Sequence, residues 1–216
     1  GFLALRDYYY ANLPAPPMPT VATTYTTNPT GTARATLNRP KRITLEADGS
    51  TGTNLAAKFD RSQFDWLSND SLNIVGPQWT ILLWFKTFDV STSCTLAGRW
   101  GGGGSSFLIR HCGDDVATAG ALNLLLSDDG SEITFNSTSS GLFAMNEWHM
   151  LAYTFDGTNV ALYVDDVLDG LVPFASTVFA NTVDKFGIGN AYGGAFHNGL
   201  IGPVAGWNGR ALTAGE

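Results

Sequence analysis

The strongest constraint on the fold is the spacing of short apolar runs through most of the chain. From Asn54 onward, strand-length runs recur at short intervals, and clusters of Gly, Asn, Asp and Ser separate them. Such clusters supply the turn conformations that connect neighbouring strands. The sequence indicates no helix longer than a turn. The pattern therefore predicts an all-β fold built from many short strands.

Three of these runs define the predicted sheet more closely. Trp148–Phe155 and Val160–Val164 flank an Asp-Gly-Thr-Asn turn, and alternate residues of the second run are branched and apolar. This arrangement is typical of a hairpin with one face in a core. The run that begins at Trp79 is apolar on both alternating faces, which predicts a strand covered on both sides.

The first 53 residues differ in composition from the rest of the chain. Four prolines between residues 14 and 19 favour an extended path, and the threonine-rich stretch Thr20–Thr36 follows. Such a stretch cannot bury enough apolar surface to order itself. We therefore predict an extended arm over residues 1–53 and one sandwich domain over residues 54–216, and a partner chain is the simplest surface to hold the arm.

Charge divides along the same boundary. The net charge is −7, of which residues 1–53 contribute +2 and the remainder −9. An acidic body disfavours nucleic acid as a partner, because phosphate binding needs clustered Lys and Arg. The arm could instead dock on an acidic protein surface or be a solvated linker. Its candidate docking residues are Tyr8, Tyr9, Tyr10, Arg34, Arg39, Lys41 and Arg42.

The chain ends and the cysteines add three expectations. No apolar run has the length needed to cross a bilayer, and the opening Gly-Phe-Leu-Ala-Leu is shorter than the apolar region of a signal peptide. Thr213 and Glu216 have capping-box spacing, so we expect a helix that continues past the last residue. Cys94 and Cys112 flank a predicted hairpin in which the numbers of two facing residues should add up to about 205–206. The two cysteine numbers add up to 206, so a cross-strand disulfide is geometrically possible, and two neighbouring free thiols explain the spacing equally well.

Three segments together carry a family resemblance. Asn146-Glu-Trp-His-Met-Leu-Ala-Tyr-Thr-Phe-Asp-Gly-Thr-Asn-Val-Ala-Leu-Tyr-Val-Asp-Asp resembles the signature hairpin of concanavalin A-like lectin/glucanase (laminin G-like) domains, with Asp166 where the family usually has Gly. Trp79–Phe85 resembles its early central strand, and Gly199–Thr213 its closing strand. The resemblance implies a jelly-roll β-sandwich of two antiparallel sheets, with an N-terminal arm that has no counterpart in the family. Trp84 and Trp148 are predicted core residues.

Catalysis is not indicated. Glucanases with this fold carry a Glu-x-Asp-x-x-Glu strand, whereas only Glu46-Ala-Asp48 begins that pattern here and Thr51 replaces the second Glu. His111, His149 and His197 have no nucleophile-elbow glycine pattern nearby. We predict that the protein is not an enzyme.

Two kinds of ligand are considered. For glycans, the candidate contact residues lie in or near glycine-rich loops, where loop aromatics tucked onto the sandwich rim are an equal alternative; they are Trp100, Tyr192, His197 and Asn198. No cofactor is required by the sequence. The resemblance implies calcium as an option, and the candidate ligands, which could equally be solvated turn residues, are Asp114, Asp115, Asp128 and Asp129.

The arm decides between the functional hypotheses. Three features favour a structural component of a virion, such as a phage capsid decoration or fibre protein. The arm has no core of its own, the arm is basic whereas the remainder is acidic, and the sequence has no catalytic motif. The arm would bind other subunits, and the lectin-like domain would face outwards. The alternative is a secreted or cell-surface carbohydrate-binding module, and a degenerate glycosidase comes third. No membrane partner is expected.

Overall fold

The protein is an all-β sandwich. The computed structural model describes residues 36–37, 44–47, 55–69, 73–114, 118–131, 133–139, 143, 145–191 and 193–216. The strands, in chain order, are β1 (Thr36–Leu37), β2 (Thr44–Ala47), β3 (Leu55–Phe59), β4 (Leu67–Asn69), β5 (Trp79–Thr87), β6 (Cys94–Gly101), β7 (Gly104–His111), β8 (Leu122–Leu126), β9 (Phe135–Thr138), β10 (His149–Phe155), β11 (Asn159–Val164), β12 (Val167–Pro173), β13 (Phe186–Ile188) and β14 (Gly199–Asn208).

Two antiparallel sheets form the sandwich. Within the described residues, sheet I has the order β1-β4-β13-β6-β7-β8-β9, and sheet II has the order β12-β11-β10-β5-β14-β3-β2. Strands that are distant in sequence lie side by side, as β14 does beside β5. The predicted fold class, two antiparallel sheets in a sandwich, is confirmed.

The core lies between the inner faces of the two sheets. Alternation along the predicted hairpin is confirmed, because Val160, Leu162 and Val164 enter the core from β11. Aromatic rings fill much of the interior, and the Trp79 and Phe155 rings lie 5.7 Å apart. The largest fully buried side chains are Trp79, Tyr153, Phe59, Phe85, Phe107, Phe155, Phe186, Leu67, Ile74, Ile81 and Leu83.

Trp84 and Trp148 are not core residues, and the prediction that placed them there was wrong. Leu83 and Phe85, on either side of Trp84, are buried in the core, so alternation turns Trp84 to the outer face of sheet II. Trp148 is half-buried just before β10. The core tryptophan is Trp79, which is 0% exposed.

Two short strands occur before residue 54. β1 pairs with β4 at one edge of sheet I, and β2 pairs with β3 at one edge of sheet II. The sheets therefore include residues that the sequence assigned to the arm. The rest of the predicted arm lies outside the described residues.

The hairpin of β6 and β7 decides the state of the cysteines. In the middle of the hairpin, the numbers of two facing residues add up to 206, as in the pair Ala97 and Ile109. A bulge between Thr95 and Ala97 shifts the pairing by one residue, so Cys94 faces His111 rather than Cys112. Both cysteines are buried free thiols.

Cys94 contacts a buried histidine. Its Sγ lies 3.4 Å from Nδ1 of His197, and that imidazole packs edge-on against the Phe59 ring at 6.1 Å. Burial, with a smaller effect from His111, lowers the pKa of His197 to about 3, and burial raises the pKa of the Cys94 thiol to about 12. Burial also lowers the pKa of His111. The thiol and both rings are therefore neutral near pH 7.

The C-terminal residues form a turn. The backbone N–H of Thr213 donates to the Glu216 carboxylate at 3.1 Å, which is the reach-back contact expected of the capping box. Among the described residues, no helix is long and apolar enough to cross a membrane.

Thiol reactivity tests the state of Cys94 and Cys112. Because both thiols are buried, we expect the native protein to react slowly with Ellman's reagent and the unfolded protein to release two equivalents at once without reductant. Absorbance at the thionitrobenzoate band gives the count. Unfolded protein with no reactive thiol would show that a disulfide exists after all.

Acid should destabilise the protein through its buried histidines. In the unfolded chain the pKa of histidine is about 6.5, so below that pH the unfolded state binds protons that the folded state does not. The free energy of unfolding should fall by about 1.4 kcal/mol per pH unit for each such histidine. Urea titrations between about pH 7 and about pH 5 measure this slope. His197→Gln should reduce it, and an unchanged slope in that variant would contradict the assignment.

Candidate functional site

The outer face of sheet I carries a band of polar side chains. Alternation turns Arg110 of β7, Asn123 of β8 and Thr138 of β9 to this face, and the strand register places the three side by side. Asn136, two residues before Thr138, lies on the same face. We call these four residues the polar band of sheet I.

Hydrogen bonds join the polar band into one network. Arg110 Nε donates to Asn123 Oδ1 at 3.0 Å. The Asn123 amide donates to Thr138 Oγ1 at 3.0 Å and to the Ser137 carbonyl at 3.2 Å, and it also donates to Asn136 Oδ1. Asn123 is 2% exposed, so its contacts fix the orientations of its neighbours. The network therefore presents pre-oriented polar groups at the surface.

Part of the polar band remains available to a ligand. Asn136 and Thr138 are exposed, and Arg110 is half-buried. Within the described part of the chain, Nε is the only guanidinium nitrogen of Arg110 that makes a hydrogen bond, and no carboxylate pairs with it. Guanidinium, amide and hydroxyl groups offer the donors and acceptors that sugar hydroxyls or a ligand carboxylate require.

A loop borders the polar band on the β13 side. A Cβ on Gly98 of β6 would lie 3.2 Å from Cβ of Ala191 and 2.9 Å from the Phe107 carbonyl oxygen. A Cβ on Gly187 of β13 would lie only 1.9 Å from the carbonyl oxygen of Asn190. The two glycines therefore allow the loop after β13 to lie close against the sheet. That loop carries Tyr192, which is itself outside the described residues.

The predicted glycan contacts do not form one cluster. His197 lies beside Cys94 at the start of β6, whereas Trp100 is half-buried at the other end of that strand. Six residue steps along β6 lie between Cys94 and Trp100, so His197 and Trp100 are roughly 20 Å apart. His197 is 0% exposed, so its ring is in the interior. Asn198 is half-buried next to it, and its carbonyl accepts from Phe88 N at 2.8 Å.

The arm residues proposed for partner docking cannot be placed. Tyr8, Tyr9, Tyr10 and Arg34 lie outside the described residues, and so do Arg39, Lys41 and Arg42. Their role stays a prediction.

The aspartates considered for calcium lie apart from one another. Asp114 follows β7, whereas Asp128 and Asp129 follow β8, so five strand residues separate the two positions. The Asp129 carboxylate accepts from Ser131 N at 2.8 Å and from Ser127 Oγ at 3.1 Å, which uses it within its own turn. Asp115 is not among the described residues. No group of three or more His, Cys, Asp or Glu side chains in the described ranges could hold a metal ion.

Sequence reasoning missed the polar band. The signal was present as Asn123 within an otherwise apolar strand, as Arg110 directly after the apolar run Phe107–Ile109, and as the alternation of Asn136 and Thr138 with buried neighbours. Each position alone is an ordinary outward-facing residue. Only the register of three strands brings them together.

Comparisons with known proteins agree with the fold. A family model described as the concanavalin A-like lectin/glucanases superfamily matches residues 62–216. No curated protein matches the chain.

Solved structures also resemble the chain. Domain 4 of AbnA, an extracellular arabinanase from Geobacillus stearothermophilus in complex with arabinotriose, has a TM-score of 0.63 and 19% identity over 89% of this chain and 92% of that one. The binding domain of Paraclostridial Mosquitocidal Protein 1 has a TM-score of 0.66 and 11% identity over 86% of this chain, which spans 46% of that domain. The CBM40 of a Ruminococcus gnavus IT-sialidase bound to α2,3 sialyllactose has a TM-score of 0.51 and 16% identity, over 63% of this chain and 78% of that one.

Identities this low establish similarity of fold only. The family model, in contrast, covers well over half of the sequence, and the sandwich carries the hairpin and the closing strand on which the resemblance was based. The chain belongs to the concanavalin A-like lectin/glucanases superfamily.

Proposed function

We propose that this protein is a non-catalytic, lectin-like binding domain that binds a glycan at the polar band of sheet I. The observation that supports this most directly is the Arg110–Asn123–Thr138 network, which holds donors and acceptors in fixed positions on the outer face of sheet I. A preorganised polar surface loses little conformational entropy on binding.

The related structures support a glycan as the ligand class. The AbnA domain was solved with arabinotriose, and the Ruminococcus CBM40 with α2,3 sialyllactose. The exposed groups of Asn136 and Thr138 suit hydroxyls, and the Nη groups of Arg110 suit either hydroxyls or a carboxylate. Arabino-oligosaccharides and sialylated glycans are therefore the first ligands to test. A loop aromatic such as Tyr192 could add stacking on a sugar ring, whereas Trp100 lies in β6, five residues from the position that faces Arg110.

The absence of catalysis is part of the proposal. The sequence lacks the paired-glutamate strand of the glucanases. The polar band contains no carboxylate, and hydrolysis of a glycoside by the usual route needs two. Binding without bond cleavage is the simplest activity for such a surface.

Removal of the Arg110 side chain should weaken glycan binding. Arg110→Ala deletes the guanidinium donors at the polar band, so we expect the Kd for a bound glycan to rise about tenfold. A glycan array identifies the ligand, and isothermal titration calorimetry then measures the Kd of each variant.

Arg210→Ala is the matched control, because Arg210 is an exposed arginine whose side chain pairs with Glu216 near the C-terminus. It should bind glycan as the wild type does. The glycan site would be refuted if the Arg110→Ala variant bound as tightly as the wild type, or if the wild type bound no glycan on the array.

We further propose that the protein is a virion component, such as a capsid decoration or fibre protein, with its N-terminal stretch attached to other subunits. The supporting observation is the contrast between a proline- and threonine-rich stretch of charge +2 and a sandwich of charge −9. β1 and β2 join this stretch to the edges of both sheets. The alternative is an extracellular or cell-surface carbohydrate-binding module.

Protection of the N-terminal stretch from protease distinguishes these two roles. In dilute purified protein we expect trypsin to cleave rapidly at Arg6 and Arg34. In particles that contain the protein, the same bonds should be protected because the stretch is bound to neighbouring subunits. Mass spectrometry of both digests measures the difference, and equal cleavage rates would argue against the particle role.

A further inference from the structure

The outer face of sheet II is apolar towards its β12 edge, whereas Lys58 and Lys86 lie on its β3 side. The register aligns Leu168, Tyr163, Ala152, Leu82 and Ala205 across five strands on this face. Antiparallel sheets of one-sided sandwiches normally carry polar residues on their outer face. A second aligned row contains Leu171, Ala161, Thr154, Thr80 and Trp207, and Trp84 and Met150 form a neighbouring pair. We call this surface the apolar face of sheet II.

The apolar face opens towards solvent at the β12 side. Leu168 and Leu171, which face outwards on β12, are 51% and 59% exposed. Within the described ranges β12 is also the edge strand of the sheet, with β11 as its one strand partner. Apart from Asp169 and Gly170, β12 is apolar, and an exposed apolar edge strand is a ready surface for another chain.

Among the described residues, the C-terminal segment covers one end of this face. Thr80 Oγ1 donates to the Arg210 carbonyl at 3.1 Å and accepts from Leu212 N at 2.9 Å. These contacts lay the segment after β14 across the Thr80 end. Leu82, Trp84, Met150 and Tyr163 remain half-buried beyond it.

Charge argues against a second sandwich as the occupant. Residues 149–173, which form β10 to β12 and their turns, contain four aspartates and no Lys or Arg. Two such faces, each on a sandwich of charge −9, would repel. A segment without excess negative charge fits better.

The first ten residues have the matching chemistry. Within this stretch Phe2, Leu3, Leu5 and Tyr8–Tyr10 supply apolar and aromatic side chains, and Arg6 balances Asp7. Residues 11–35 follow before β1. Fully extended, these 25 residues reach about 80 Å, whereas a seven-strand sheet is about 30 Å wide. The segment can therefore reach a neighbouring molecule.

The entry point of the chain favours a neighbouring copy. β1, which directly follows this stretch in the chain, lies at the edge of sheet I, in the layer opposite to the apolar face. Binding to another copy needs no return path around its own sandwich. Such a contact joins two different surfaces and is therefore heterologous, which produces rings or linear arrays.

We propose that the apolar face of sheet II and its β12 edge bind residues Gly1–Tyr10 of a second copy of this chain. This inference rests on the assembly role proposed above for the N-terminal stretch. It adds the partner, which is the same protein, and the surface that accepts the segment.

Full-length variants test the two halves of this contact separately. The face variant is Leu168→Ser with Leu171→Ser, and the arm variant is Leu3→Ser with Leu5→Ser. The control variant is Ile133→Ser with Val183→Ser, because these residues are at least as exposed, at 52% and 73%, but lie outside sheet II. Sedimentation velocity over a range of concentrations measures self-association, and circular dichroism verifies that each variant folds.

We expect the wild type and the control to self-associate, and the face and arm variants each to associate about tenfold more weakly or worse, because two apolar contacts are lost. A mixture of face and arm variants should form a 1:1 complex, since one supplies an intact segment and the other an intact face.

Three outcomes would overturn the inference: a wild type that stays monomeric, a face variant that associates normally, and a mixture that forms no complex. A monomeric wild type whose N-terminal stretch is nevertheless protected in particles would remove this contact and leave the assembly role intact. Glycan titrations at Arg110 are independent of all three outcomes.

Discussion

The pairing of β5 with both β10 and β14 is the interaction on which the rest of the structure depends. β5 aligns Trp79 to Phe85 with seven consecutive residues of β10 and meets the last long strand on its other side. This pairing turns Ile81, Leu83 and Phe85 into the core at 0–1% exposure. A shift of one residue would reverse every side chain of β5, so the inner apolar row fixes the register of the whole of sheet II. The same register fixes which residues appear on the outside.

The two outer faces differ in chemistry and therefore suit different partners. Sheet I presents a hydrogen-bonded polar band, whereas sheet II presents an apolar face beside an exposed edge strand. The core between them contains Cys94, His111 and His197, whose pKa values are shifted mainly by burial. The two proposed contacts, a glycan at sheet I and a second copy at sheet II, therefore lie on opposite faces of the sandwich. That arrangement suits a protein that joins an assembly through one surface and displays the other.

Local patterns predicted the hairpins well because a hairpin is formed by neighbouring segments. The pairing of β10 with β11, and the approximate register of β6 with β7, follow from turn chemistry and alternation alone. Trp84 was misplaced because β5 is apolar on both faces, so its inner face cannot be chosen without knowing its neighbours. His197 stands beside glycine-rich sequence, yet it is buried because β14 and β6 bring it against Cys94. The polar band depended on the register of β7, β8 and β9 and was not visible in any one of them.

The sequence by itself determined the all-β class, the family and the hairpins, because strand-length alternation and Gly- and Asp-containing turns act between adjacent residues. It also determined the contrast between a proline-rich, slightly basic N-terminal stretch and an acidic remainder. Only the tertiary structure decided which face of each strand became the interior, that Cys94 faces His111, and that Arg110, Asn123 and Thr138 form one network. The physical reason is that these outcomes depend on pairings between segments far apart in the chain, and a single bulge or a single-residue change of register alters them.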